Sequence, residues 1–270
     1  MAPAIITLGT LAFLVAGVGS YLHLRQVARW APLLATVGGG IGILLNGAYI
    51  ARSVAERGVV GALGLNLEST LLLATLLGLV ALVTHLSSGL RGLDGFLYLS
   101  AAVVQLGAIS VMERRPADIE YKSWFISHSL AFQVSAACFI AGGMAGLAYL
   151  IVYKTLRRKR PPTIVGSLAP LESLERFGRW ALMIGFPLFT YGVLTGICEV
   201  VRAPNGPAPW FRDPLIILSF VTWAAYAVVI GAMWLRPHIR GRRFATLSAS
   251  CMGLVAVVFL VVEFISPLHR

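Results

Sequence analysis

The chain has 270 residues, of which 58% are hydrophobic and only 12% charged, and its mean hydropathy is +0.83. Soluble domains carry about 25% charged residues, so this composition excludes a soluble globular protein and makes lipid the main solvent. The net charge of +11, from 22 Lys and Arg against 11 Asp and Glu, is spread between apolar runs and not gathered on one face. It therefore reads as loop charge that orients helices and sets aside a nucleic-acid partner.

A helix that crosses a bilayer needs about 20 mostly apolar residues. Eight segments qualify, at roughly 3–23, 32–51, 67–87, 95–112, 124–153, 178–200, 214–235 and 245–266. All are continuously apolar with no strand-like alternation, which favours helices over a barrel. The expected fold is all-α and polytopic, a single membrane domain over 1–270. No basic residue precedes the first segment, while Arg25 and Arg29 follow it, so it reads as a retained span and not as a cleaved leader. The fourth segment is short and contains Gln105. The fifth ends in a basic run, Lys154 to Arg160, closed by Pro161 and Pro162, which cannot continue a helix. A short amphipathic stretch, Leu171 to Arg179, is expected along the inner membrane surface ahead of the sixth span. Pro187 is expected to kink that span. Cys138, Cys198 and Cys251 are isolated, which argues against a thiol–disulfide relay and against covalently attached haem in this chain. They read as small apolar fillers.

Alternate connections hold 14 and 8 of the Lys and Arg residues, the larger set including 154–160. The positive-inside rule puts that set in the cytoplasm and both termini outside.

Polar groups inside a bilayer are costly, which makes them informative. On this topology His23, His85 and His238 fall near the cytoplasmic ends of helices. His128 lies one turn inside the outer end of the fifth helix, and His269 lies just beyond the outer end of the eighth. The outer loop 203–213 falls between them in sequence. Two imidazoles converging there suit axial ligation of haem iron. Trp210 could cover a porphyrin face, and Arg202 or Arg212 could pair with the propionates. The alternative is a capped helix-end histidine at 128 and a tail residue at 269, and spacing alone leaves both open. Glu199 and Glu263 read as structural partners of an outer arginine, with a proton relay as the alternative. Glu68 reads as a helix N-terminal charge. His23 and His85 read as satisfied helix-end histidines, with an inner haem relay as the alternative.

Three runs carry a family resemblance. The first begins Leu171-Glu-Ser-Leu-Glu-Arg-Phe177 and continues through Ile184-Gly-Phe-Pro-Leu-Phe-Thr-Tyr-Gly-Val-Leu-Thr-Gly196. The second is Ser123-Trp-Phe-Ile-Ser-His128, followed by small residues, aromatics and Tyr149. The third is Arg240-Gly-Arg-Arg-Phe-Ala245, an apolar helix, then Pro267-Leu-His269. Together they resemble the cytochrome c assembly (CcsA/CcmC-type) haem-handling membrane proteins, closest to the short eight-helix branch. The resemblance covers roughly 120–270, and the first 110 residues only in hydropathy. It implies a haem site on the outer face, with non-covalent haem b held between two histidines that flank a tryptophan-rich loop ending in Trp-x-Trp-Asp-Pro. His128 and His269 match the flanking histidines, Trp210 the first Trp of that motif, and Asp213 and Pro214 its end. The chain departs from the pattern at Arg212, where the second Trp is expected, and at Asn205-Gly-Pro-Ala-Pro209, where earlier tryptophans are absent. Trp234 and Asn46 stand where the family commonly has histidine.

The resemblance implies a multi-pass protein of the bacterial cytoplasmic membrane. It would hold haem outside and deliver it for attachment to apocytochrome c with a partner biogenesis subunit. The chain would not be an enzyme by itself but a chaperone or a subunit of a haem lyase, since the apocytochrome supplies the reacting cysteines. The alternative is a non-haem membrane regulator or assembly factor of the same fold. A small-solute transporter is a third reading, and the inverted repeat and paired broken helices expected of one are not visible.

Overall fold

The computed structural model describes residues 2–63, 66–111, 123–158, 168–201, 214–235 and 240–264. Within them the apolar runs form eight helices: α1 (Ala2–Leu24), α2 (Ala31–Leu63), α3 (Asn66–Leu86), α4 (Leu93–Val111), α5 (Ser123–Arg157), α6 (Leu171–Val201), α7 (Pro214–Leu235) and α8 (Arg242–Phe264). A 3₁₀ turn occupies Ser88–Leu90. No strand occurs among the described residues. Lipid offers no partner for a backbone N–H or C=O, so continuously apolar runs satisfy those groups within their own helices. Helices α1 to α3 and α5 to α7 are each long and apolar enough to cross a membrane, and α4 carries a shorter apolar stretch, Leu93–Ala108. The protein is an all-α polytopic membrane protein.

Every expected segment coincides with a helix, but two boundaries differ for physical reasons. Helix α2 does not stop near 51. It runs on with Arg52 and Glu56 paired one turn apart at 2.7 Å, and its backbone leaves the helical region at Gly58 (φ 75°, ψ 167°). The surface stretch expected at 171–179 is not separate from the sixth span. Residues 171–201 form one helix that continues through Pro187. Its first turns are tied down by Glu175, which accepts from Arg179 at 2.8 Å and from the Gly241 backbone at 2.9 Å. At 1.5 Å per residue α6 is about 46 Å long, more than a bilayer core of about 30 Å, so both ends project.

Helices α1 to α4 touch in a closed ring, each against the next and α4 back against α1, and α5 to α8 repeat that order. Helix α5 joins the two rings by packing on α2, α3 and α4. One buried cluster runs through both, from Phe13 and Tyr98 to Phe139, Tyr226 and Val255. Small residues let backbones approach where lipid gives no hydrophobic drive to helix pairing. At the α1–α2 contact, a Cβ on Gly38 would lie 2.9 Å from the Ala12 carbonyl oxygen and one on Gly19 would lie 2.6 Å from the Ala35 nitrogen.

The short connections after α1, α2 and α3 make those helices antiparallel. His128, Phe132 and Phe139 of α5 meet Gly196, Gly192 and Gly185 of α6 in reverse order, and the Ala169 backbone, just ahead of α6, donates to the Arg91 carbonyl at 2.9 Å. The C-terminal ends of α1, α3 and α5 therefore share one end of the bundle, with Arg25, Arg29, Arg91, Lys154 and Arg157 at or beside them. This basic end is opposite the first turns of α5 and the last turns of α6.

Candidate functional site

His128 sits at the start of α5, partly buried against the closing turns of α6. Its Nδ1 lies 2.9 Å from the Gly192 carbonyl oxygen and 3.0 Å from Thr195 Oγ1. A carbonyl can only accept. The single proton of the Thr195 hydroxyl is within reach of the Tyr191 and Gly192 carbonyls, each at 2.9 Å, which leaves its oxygen to accept from the ring. The network assigns the ring proton to Nδ1, and in the neutral imidazole the lone pair then belongs to Nε2.

The groove that receives the ring is made of glycine. An added Cβ on Gly196 would lie 2.9 Å from His128 Cε1, and one on Gly192 would lie 2.9 Å from the Phe132 ring. His128 and Phe132 are one turn apart on α5, and Gly192 and Gly196 are one turn apart on α6. The two helices meet as a pair of rings laid into a pair of gaps. Beside them Tyr191 donates to Ser127 Oγ at 3.0 Å.

From His128 a file of rings leads into the core. His128 meets Phe132 edge-on at 4.9 Å, Phe132 meets Phe189 at 5.2 Å, and Phe189 meets Phe139 at 5.5 Å. Phe139 stacks on Tyr226 of α7 at 3.7 Å and 10°. Edge-to-face aromatic pairs are directional, so this file fixes the azimuth of α5 against α6 and therefore of His128.

Arg202, Trp210, Arg212, Asp213 and His269 lie outside the described residues, as does His238. Pro214 opens α7, where its missing N–H is no loss. Glu199 and Glu263 fall in the last turns of α6 and α8, and their side chains lie outside the described set. No group of three or more His, Cys, Asp or Glu able to hold a metal occurs among the described residues.

At the basic end His23 and His85 are neighbours, with ring centroids 5.9 Å apart. The sequence reading missed Asp94, whose carboxylate takes His85 Nδ1 at 2.6 Å, with both side chains under a tenth exposed. A signal was present, since a helix-ending His85 and a helix-starting Asp94 bracket the glycine-containing turn 87–92. The pair lines a cavity of about 570 Å³ with Ser20, His23, Arg91 and Ala169. Glu68 does sit in the first turn of α3, and it is also a buried acceptor for Ser53 at 2.7 Å and Arg57 at 3.4 Å. Asn46 is fully buried and paired with Gln105. Trp234 is 74% exposed at the end of α7. All three cysteines are free; Cys251 is buried, but Cys198 lies on an exposed face and fills no gap in the core.

The family model for the cytochrome C assembly protein matches residues 63–269. The chain is 32% identical over 106 residues to the cytochrome c biogenesis protein CcsA of Thermosynechococcus vestitus, covering 38% of this chain and 32% of that protein. It is 26% identical over 163 residues to CcsA of Prochlorococcus marinus strain MIT 9312, covering 53% and 52%, and 23% identical over 158 residues to CcsA of Guillardia theta, covering 53% and 52%. The matched region spans about a third to about a half of those relatives' length. No solved structure matches the chain.

Proposed function

The chain belongs to the cytochrome C assembly protein family, and from that premise we propose that it is a haem-handling membrane protein of cytochrome c biogenesis. It holds haem at the extracytoplasmic face between His128 and His269 and delivers it for attachment to apocytochrome c. The observation that supports this reading is the setting of His128: Nδ1 lies 2.9 Å from the Gly192 carbonyl oxygen, which can only accept, so the neutral ring carries its lone pair on Nε2. A metal-bound histidine almost always gives its other ring N–H to a carbonyl, carboxylate or water, and the donor chemistry of this ring fits an iron ligand.

Haem, when bound, would supply an iron that accepts neutral imidazole nitrogen and propionates that need cationic partners. His128 offers one nitrogen from a position fixed by α6, and His269 would offer the other. Trp210 would cover a ring face, Arg202 and Arg212 would face the propionates, and Asp213 would close the loop beside Pro214. The cysteines that form the thioether bonds belong to the apocytochrome. Orientation follows from the 14-to-8 division of Lys and Arg, which puts the basic end in the cytoplasm and both termini outside. His85 keeps Nδ1 on the Asp94 carboxylate, and its role is to tie α3 to α4.

An absorbance spectrum of the detergent-purified protein tests the proposal. His128→Ala or His269→Ala should give five-coordinate iron that binds added imidazole, and the double variant should lose haem. His23→Ala and His85→Ala should leave the spectrum unchanged. A wild-type protein that contains no haem and takes up no hemin would favour a regulator or assembly factor of the same fold, a reading that Arg212 in place of the second Trp supports.

A further inference from the structure

We propose that Thr195 is the positioning residue of His128: together with the Gly192 carbonyl it holds the ring proton on Nδ1 and so dedicates Nε2 to a metal. The inference rests on the reading of His128 as a haem ligand, but its first consequence exists in the protein alone. The Gly192 carbonyl, 2.9 Å from Nδ1, can only accept, and Thr195 Oγ1 lies 3.0 Å from the same nitrogen, so the pair favours the Nδ1–H tautomer. Thr195 can donate to the ring only by withdrawing its one proton from the Tyr191 and Gly192 carbonyls, both 2.9 Å away and both within its reach. An imidazole whose N–H is engaged in this way gains electron density at the opposite nitrogen and becomes a stronger metal donor.

Sequence spacing supports the assignment. Gly192, Thr195 and Gly196 lie at i, i+3 and i+4, on one stripe of α6. The two glycines give space to Phe132 and His128, and the threonine between them supplies the acceptor. A histidine that only caps a helix end needs no such surface. The ligand class is a borderline transition-metal ion that accepts neutral imidazole, and in this site it is the iron of haem.

The test uses the full chain in detergent with 15N-labelled histidine and no haem, the His128 signals being those lost in His128→Ala. Wild type should show the Nδ1–H tautomer. Thr195→Val, nearly isosteric, should shift His128 toward a mixture of tautomers and weaken hemin binding about tenfold, while Thr195→Ser should restore both. If Thr195→Val does not fold, Gly196→Ala serves, because its Cβ drives the ring off both acceptors and should move the tautomer in the same direction. An unchanged Nδ1–H signal in the folded variant, or hemin affinity within twofold of wild type, overturns the proposal. A tautomer that responds in a protein that never takes up hemin upholds the positioning role and removes the haem reading instead.

Discussion

Asn46 and Gln105, both fully buried and 59 positions apart, hold each other by both ends of their amides. Asn46 Nδ2 donates to Gln105 Oε1 at 3.2 Å and Gln105 Nε2 donates to Asn46 Oδ1 at 2.9 Å. The Gln105 amide also reaches the Ile6 carbonyl at 3.4 Å, so α1, α2 and α4 share one polar knot in an apolar ring. Replacing either residue by Leu strands the other amide. Each single variant should lose about 1 kcal/mol of stability, and the double variant should lose less than the sum of the two. Unfolding midpoints in detergent measure this; strictly additive losses would show that the amides act independently.

The His85–Asp94 pair should be costlier to break. Its side chains are 7% and 3% exposed, and removal of one member of a buried pair leaves the other uncompensated. Asp94→Ala should cost about 3 kcal/mol, and Asp94→Asn less, because the amide oxygen still accepts from Nδ1. The same unfolding assay decides it, and equal losses for the two variants would assign the effect to packing.

Topology is open to direct measurement. With Cys138, Cys198 and Cys251 replaced, a single cysteine at Asn205 should react with a membrane-impermeant maleimide in intact cells, and one at Thr163 only after lysis. The reverse pattern would turn the bundle over and put His128 on the cytoplasmic side.

Pro187 lies on an exposed face of α6 and gives no N–H to the helix. Pro187→Ala restores one backbone bond to the Met183 carbonyl and removes the ring's clash with the preceding turn. Stability should not fall, and the helix axis beyond 187 should change direction, moving Gly192 and Thr195 relative to His128. A crystal or cryo-EM structure of the variant with an unchanged axis would assign the path of α6 to its neighbours.

The number and order of helices were readable because lipid imposes one rule on every apolar run. The merging of Leu171–Arg179 with α6 was not, since a stretch amphipathic enough to lie on a membrane is also a good first turn when Glu175 finds Gly241 in the turn ahead of α8. His128 stood out as a polar residue inside a span. Its partners did not, although Gly192, Thr195 and Gly196 lie at the end of the first resembling run. Their meaning depends on a helix contact 64 to 68 residues away, and only the fold supplies that proximity. Asp94 was overlooked for a related reason: a carboxylate in a first helical turn looks like a dipole partner until a histidine from another helix is found against it.

The two rings of four helices carry a further consequence, one of parity. A chain that makes an even number of crossings leaves on the face where it entered. On the proposed topology, in which α1 to α4 all cross, the second ring, with α5 and α6, is presented the same way up whether one complete ring precedes it, none does, or another is added. Gain or loss of a single crossing ahead of α5 inverts it. Whole-ring changes are silent for the side His128 faces, and one-helix changes are not.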